Sequence, residues 1–389
     1  MNILFINEKG GYFGGVEQNI SLSVKALTNQ GHSCHLYYGL KTDKADEFLN
    51  LFTSTTQFKQ LIEPNNEIKF LVENTESINP DIIYIHKLES LESIQCLTEK
   101  YKTIRMVHDH DLCCPRRHKY FLYNNRVCNK PIGWRCYTDL AFMKRKPSSL
   151  IGVEYESISK KVKELRRHKH LDKLLVGSQF MRTELIQNGI DENKVFVTPP
   201  CVESSHNNIN NKIAGDEILF VGQLIRGKGV DLLLHALAKL DQEFHCTIIG
   251  AGNARNQLIK LSKKLGLQNK VTFKGWVNSE SLHEYYQLSR FVVVPSRWPE
   301  PFGMVGIEAM HNARPVIGFN VGGISDWLID KENGLLIDEQ DVDGLAFAMN
   351  NLMNNKEIAI ELGVNAMNYV NEHFSFDNYI NSLIKHMKT

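Results

Sequence analysis

The sequence has almost no net charge. Its 389 residues carry 45 Lys and Arg against 44 Asp and Glu, a balance that gives no support to nucleic-acid binding. It also lacks any apolar run near the ~18 to 20 residues needed to cross a bilayer, and the opening MNILFINEKG puts no basic segment ahead of its short apolar stretch. The expectation is a soluble, cytoplasmic protein. Among the eight cysteines there is no C-x2–4-C knuckle: Cys113, Cys114, Cys128 and Cys136 have zero, thirteen and seven residues between them. That spacing favours reduced thiols in a loop over a zinc site, even with His108, Asp109, His110, Asp111 and His118 close by. Internal repeats and low-complexity tracts are absent too.

What the chain does have is a rhythm of short β-branched or aliphatic runs alternating with longer amphipathic segments. The runs lie at 2–6, 33–38, 81–86, 103–108, 173–177 and 194–198 in the first half, and at 217–221, 244–250, 270–273, 290–294 and 314–318 in the second. The alternation predicts α/β layers with parallel sheets. A chain of this length calls for roughly two or three domains. PPCVESSHNNINNKIAGD, near 199–215, has the composition of a linker between two Rossmann-like halves. The expected boundaries are an N-terminal domain over 1–200, a C-terminal domain over 201–372, and a last helix over 373–389 that packs back on the first. Ligand crevices in open parallel sheets lie at the carboxyl ends of the strands, so two such domains are expected to face each other across a cleft.

Three strand-to-helix turns stand out. NEKGGYFGGVEQNI follows the first run, and Gly14 and Gly15 would let a phosphate approach the backbone at a helix start; a plain tight turn is the simpler account. The loop has no G-x-G, and no acidic residue closes SCHLYYG to hold a ribose, which argues against a dinucleotide-dependent oxidoreductase. FVGQLIRGKGVDLLLHAL repeats the pattern with Arg226 and Lys228 in the turn, either a fixed pair of cations for a diphosphate or two solvated side chains. EPFGMVGIE then sets Glu300 just before a helix start and Glu308 inside the helix. The amides of Gly303, Met304 and Val305 would face an anion between them. At ~1.5 Å per residue the two carboxylates stand roughly 7 to 9 Å apart along the axis, too far for one close pair. Acceptors at both ends and an anion site in the middle suit a sugar nucleotide. The alternative is a capping Glu300 and a surface Glu308.

PSRWPEPFGMVGIEAM resembles the E-x7-E signature of retaining glycosyltransferases of family 4, which have the GT-B fold. Further pieces occur in order: 13–16 (FGGV), 221–224 (VGQL) with Lys228-Gly229, 314–316 (RPV), 321–323 (VGG) and 333–335 (NGL). The likeness is dense over 217–340 and sparse over 40–200, where His108 and Gly177-Ser178 match. It implies that Glu308 holds the ribose hydroxyls and that Glu300 contacts the donor hexose. Lys228 would neutralise the diphosphate, with the amides of Gly303, Met304 and Val305 and with Gly14 and Gly15. The family's usual Arg in a G-R-L triplet is replaced by Gln223, and Arg226 would have to supply the charge. His108, at the end of TIRMVHD, matches a histidine beside the donor sugar or the acceptor hydroxyl, and with Glu300 it is the candidate catalytic pair. The resemblance further implies transfer with retention and no cofactor or divalent metal. Asp341-Val342-Asp343 reads as a helix start.

The partners so implied are a nucleoside diphosphate sugar donor and a glycan or lipid-linked acceptor, in cell-surface polysaccharide biosynthesis. A nucleotide-sugar 2-epimerase or hydrolase of the same fold, and a non-catalytic nucleotide-sugar-binding partner, are the alternatives. Two basic segments remain. PRRHKYFLYNNR offers Arg116, Arg117, Lys119 and Arg126 around Tyr120 and Phe121 as a cradle for an anionic acceptor. SKKVKELRRHKH, over 159–170, would attract an anionic membrane surface or form a solvated helix face. Base selection would fall to backbone groups near Gly275-Trp276-Val277.

Overall fold

The computed structural model describes residues 1–12, 14–42, 44–58, 68–88, 90–121, 126–145, 153–202 and 216–389. Phe13 of the first glycine loop and 203–215 of the linker lie outside the described residues. The chain divides into two compact units. The first comprises Met1–Arg117, Lys130–Pro200 and Asp377–Thr389; the second comprises His118–Asn129 and Cys201–Phe376. Chain order and unit membership therefore differ in two places, at 118–129 and at 377–389.

In the first unit the strands are β1 (Asn2–Gly10), β2 (Ser33–Lys41), β3 (Ser54–Gln57), β4 (Ile82–Ile85) and β5 (Thr103–Val107), then an antiparallel hairpin of β6 (Met143–Arg145) and β7 (Val153–Tyr155), then β8 (Lys173–Val176) and β9 (Val195–Val197). The main sheet is parallel in the order β3-β2-β1-β4-β5-β8-β9. Its central strands are buried on both faces, which is why Ile3 to Ile6 and Ile82 to Ile85 are unbroken apolar or aromatic runs and not alternating ones. Strand β3, STTQ, is a mostly exposed polar edge and left no apolar signal to read.

The second unit holds β10 (Glu217–Val221), β11 (His245–Ile249), β12 (Val271–Gly275), β13 (Ser289–Val294), β14 (Val316–Phe319) and β15 (Gly334–Ile337). They pair in parallel as β12-β11-β10-β13-β14-β15. Both sheets thus grow outward in two directions from their first strand, reversing between β1 and β4 and between β10 and β13. In doubly wound sheets the ligand crevice opens at the carboxyl edge of that reversal. Each of the sequence's candidate turns follows β1, β10 or β13, and His108 follows β5, the neighbour of β4.

Six helices matter below: α1 (Gly15–Asn29), α2 (Ile158–His168), α3 (Val230–Leu237), α4 (Ser279–Leu288), α5 (Met304–His311) and α6 (Phe376–Lys388). Helix α6 docks within the first unit. Tyr379 donates its hydroxyl to Asn19 Oδ1 at 3.0 Å and lies 2.9 Å from Ser23 Oγ, both on α1. Lys102 and Lys173 donate to the carbonyls of Met387 and His386, a favourable place for cations at a helix C-terminus. All eight cysteines are free thiols. Among the described residues no helix is long and apolar enough to cross a membrane.

Candidate functional site

In the second unit, the chain leaves β10 and makes a 3-10 turn over Arg226–Lys228 before α3 begins. Gly229 sits at φ 68°, and a Cβ there would stand 1.8 Å from the Pro295 carbonyl oxygen. Only glycine lets the turn that carries Lys228 lie so close to the end of β13. Arg297 clamps the same turn from the other side, gripping Asp231 through two bonds of 2.7 and 2.5 Å and the Arg226 carbonyl at 2.9 Å.

So positioned, Lys228 Nζ reaches Glu300 Oε1 at 2.6 Å, and Ser296 Oγ donates to the same oxygen at 2.5 Å. Lys228 also lies 5.2 Å from the centre of the Trp298 ring. Glu300 is buried, and its backbone is held by the 321–323 turn: Gly323 N–H donates to Glu300 O at 2.7 Å, with Glu300 and Gly322 in a parallel bridge. Glu300 is therefore a buried, neutralised acceptor held before a ligand arrives, and not a helix cap. Gln223 and Arg226 are exposed and make no side-chain bond among the described residues.

Helix α5 starts at Met304 with Gly303 as its N-cap, at φ 97°. The leading amides have no carbonyl within the helix to bond, and the macrodipole adds partial positive charge where they point. The turn rests on an indole: Trp327 Nε1 donates to the Phe302 carbonyl at 2.6 Å. Glu308, the fifth residue of α5, is half-buried and accepts the Tyr286 hydroxyl from α4 at 2.9 Å. Burial raises its pKa, and the Tyr286 bond opposes that rise. Glu308 is thus a partnered acceptor and not a free surface group. Gly303, Met304, Val305, Glu300, Glu308 and Lys228 come together in one unit; Ser296 and Trp298, from the start of the same PSRWPEPFG stretch, join them, as does Tyr286, which no motif marked in the sequence.

The first unit carries the other candidates. Gly14 and Gly15 are exposed, and a Cβ at Gly15 would meet nothing within 4 Å. The Gly14 amide, however, donates to the buried Glu17 carboxylate at 3.0 Å, and Asn7 donates to the other Glu17 oxygen at 3.2 Å. The start of α1 supplies its own carboxylate, which leaves Gly15 as the open point of approach.

His108, just past β5, is half-buried and pairs through Nε2 with Nδ1 of His86, just past β4, at 2.9 Å. The rings stack at 5.1 Å and 18°. Burial, helped by the nearby Arg105 and Lys87 cations and opposed by the Asp111 carboxylate, holds the His108 pKa down at about 4. The turn that follows is anchored from below by Arg105, a fully buried guanidinium in the middle of β5. Arg105 donates to Asp111 Oδ2 at 3.0 Å and to His168 Nε2 on α2. Since His168 Nδ1 donates to the Glu164 carbonyl at 2.7 Å, its Nε2 is the accepting lone pair, and the ring is neutral, its pKa held near 3 by burial. The sequence marked His108 but not His86, although both close neighbouring parallel strands.

Two basic segments differ from expectation. Lys119 and Tyr120 of the proposed cradle are buried, and Arg116 donates to the Asp139 carbonyl at 2.7 Å; residues 122–125 of that segment lie outside the described residues. On α2, Lys161 turns inward and pairs with Glu164 at 2.7 Å, while Lys160, Lys163, Arg166 and Arg167 stay exposed. Among the described residues no three His, Cys, Asp or Glu are grouped to hold a metal ion.

Residues 202–369 match the family model described as glycosyl transferases group 1. An uncharacterised glycosyltransferase of Methanocaldococcus jannaschii is 30% identical over 201 residues, covering 51% of each chain. The O-antigen chain mannosyltransferase C of Escherichia coli is 34% identical over 168 residues, 43% of this chain and 44% of that protein. The chain thus spans about half the length of the curated relatives it matches. The crystal structure of Anabaena HepE in complex with UDP-glucose superimposes with a TM-score of 0.74 at 18% identity, covering 100% of this chain and 99% of that one. The class that the two parallel-sheet units and the structural match define is the GT-B fold, and within it residues 202–369 are similar to glycosyl transferases group 1.

Proposed function

We propose that the protein is a retaining glycosyltransferase of family 4, moving a hexosyl unit from a nucleoside diphosphate sugar to a glycan or lipid-linked acceptor in cell-surface polysaccharide biosynthesis. The observation that carries this reading is the buried Glu300, bonded to Lys228 and Ser296 beside the start of α5, with Glu308 eight residues on. Glu308 takes the ribose hydroxyls, and Glu300 takes a hydroxyl of the hexose. Lys228 and the amides of Gly303, Met304 and Val305 receive the diphosphate, with Arg226 standing in for the arginine that Gln223 replaces. In the first unit Gly15, beside Gly14, gives the phosphates an approach to the backbone, and His108 meets the reacting sugar. The bond from the anomeric carbon to phosphate breaks and the bond to the acceptor oxygen forms on the same face. The departing phosphate oxygen takes the acceptor's proton. Such a path asks the protein for positioning and for stabilised leaving-group charge, which fixed cations and amides supply without a metal. The UDP-glucose held by the HepE structure and the O-antigen relative support the donor class and the pathway.

A thermal-shift screen of UDP, GDP, ADP and their common sugars in chelator tests the donor site, because a ligand that binds only the folded state raises its melting temperature. One nucleoside diphosphate raising Tm is the expected result; silence from all of them sinks the reading. With that nucleotide, Glu308→Ala weakens binding about tenfold, whereas Glu300→Gln leaves binding within about threefold and slows transfer at least 100-fold, a loss typical of a group that acts at the reacting centre. Equal loss of binding in both variants, measured by calorimetry, would refute this division of labour.

We assign peripheral contact with an anionic membrane to the outer face of α2, where Lys160, Lys163, Arg166 and Arg167 are exposed. Each cation near such a surface contributes ~1 kcal/mol. Exposed Trp134, Tyr137 and Tyr155, ahead of α2 in the chain, add the amphipathic rings that settle at headgroup depth. Co-sedimentation with phosphatidylglycerol vesicles but not with phosphatidylcholine vesicles is expected, and equal recovery with both would remove the assignment.

A further inference from the structure

We propose that His86 is a positioning residue: its Nδ1–H donates to His108 Nε2, which locks the His108 ring and leaves His108 to meet the sugar as a neutral Nδ1–H donor. This rests on the reading that His108 touches the reacting sugar.

The geometry leaves few choices. His108 Nε2 and His86 Nδ1 are 2.9 Å apart, so one of them carries the proton between them. Whichever it is, the Nε2 of His108 is consumed, and only its Nδ1 remains for a ligand. His86 itself is buried at 2% exposure, stacked on Phe5 at 5.9 Å and 11°, packed against Tyr84 at 4.3 Å, and tied by its backbone N–H to the Ile6 carbonyl at 2.9 Å. It cannot turn without disturbing the centre of the sheet.

The direction of the bond follows from the far side of the His86 ring. Its Nε2 is buried and has no hydrogen-bond partner. If His86 accepted from His108, its own proton would sit on that sealed nitrogen as a stranded N–H, a buried donor left with the full cost of its lost hydration. If His86 donates, the stranded atom is a bare lone pair and every N–H of the pair has a partner or an opening. A positively charged pair is disfavoured by the same burial, which lowers the pKa of both rings. The groups facing the pair are Arg105 and Lys87, which oppose added positive charge, and Asp111, which favours it but is already bonded to Arg105; Asp109 lies 3.9 Å from Lys87. The proton on one imidazole nitrogen is set by the bond the other nitrogen makes, and here His86 makes that bond.

Nitrogen-15 NMR of the histidine rings tests the pairing without turnover. The expected spectrum shows His108 protonated at Nδ1 and bare at Nε2 in the wild type, with that preference lost in His86→Leu and kept in His86→Asn, whose amide can donate from nearly the same place. A wild-type His108 protonated at Nε2, or an even mixture, overturns the proposal. In whichever transfer reaction the nucleotide screen identifies, His86→Leu should lower kcat 10- to 100-fold with the donor KM within threefold, and His86→Asn should recover most of it. A rise in donor KM together with a fall in kcat, shared by both variants, would mean a structural role only and also overturns it. If the wild type transfers no sugar yet shows the expected tautomer, the proposed function fails and the pairing stands.

Discussion

Each unit of the molecule buries a carboxylate against a cation, and the two pairs differ in what is left exposed. Arg105 and Asp111 in the first unit have side chains 2% and 9% exposed, and the guanidinium spends a further donor on His168. Lys228 and Glu300 in the second unit are 20% and 5% exposed, and the ammonium, with three protons, has one committed to Glu300 and an aromatic face at its side. A forked, sealed donor holds two elements together and can do little else. A point charge on a flexible stem, covered but for one-fifth of its surface, can keep its carboxylate and still receive an anion. The comparison separates scaffold from site more clearly than burial of charge alone would.

The sharpest way to break that comparison is Asp111→Ala. It strands the Arg105 charge in the interior and should cost about 3 to 5 kcal/mol of stability, read as a lower urea midpoint. Nucleotide affinity at temperatures where the variant is folded should be unchanged; a loss of affinity would make this pair part of the site. Lys228→Ala comes next, with about 1 to 3 kcal/mol of destabilisation from the unpaired Glu300 and a loss of diphosphate affinity of at least 30-fold. Unchanged affinity would reduce Lys228 to a structural counter-ion.

Acid should act on the first unit through its histidines. The pKa values of His108 and His168 are held at about 4 and 3, below the ordinary value near 6.5. In that window the unfolded chain binds more protons, so stability is complete above about pH 6.5 and falls as pH drops toward 4, by about 1.4 kcal/mol per pH unit for each ring. Asp109, pushed up to about 6 by burial and by Asp111, gains a proton in the fold first and offsets part of that loss. Urea midpoints at pH 7, 5.5 and 4.5 should therefore fall in order, and His168→Gln should flatten the trend. A flat wild-type profile would mean that these rings are not held neutral.

Much of the architecture was legible because buried parallel strands must be continuously apolar: every apolar run noted in the sequence overlaps a strand. The polar edge β3 carried no such signal, and the apolar run of β15, Leu335 to Ile337, was too short to stand out as a strand. The EPFGMVGIE stretch was legible for a related reason, since a helix start, its glycine cap and both glutamates lie within nine residues. What stayed hidden depends on partners far apart in the chain. Tyr286 meets Glu308 from another helix, His86 meets His108 from the next strand, and Lys161 turned inward where a count of charges along α2 had it outside. The Glu17 carboxylate on the Gly14 amide is local, three residues on, and was within reach of the capping rule for glutamate in a first helical turn.

Lys228 leans over one of only four indoles in the chain. Two of the others, Trp134 and Trp276, face solvent, and Trp327 is sealed beneath the start of α5. Light emitted by Trp298 therefore depends on where one ammonium sits, so drawing that ammonium toward a phosphate changes the brightness or colour of the emission. A titration followed in a fluorimeter can report filling of the pocket with no label attached.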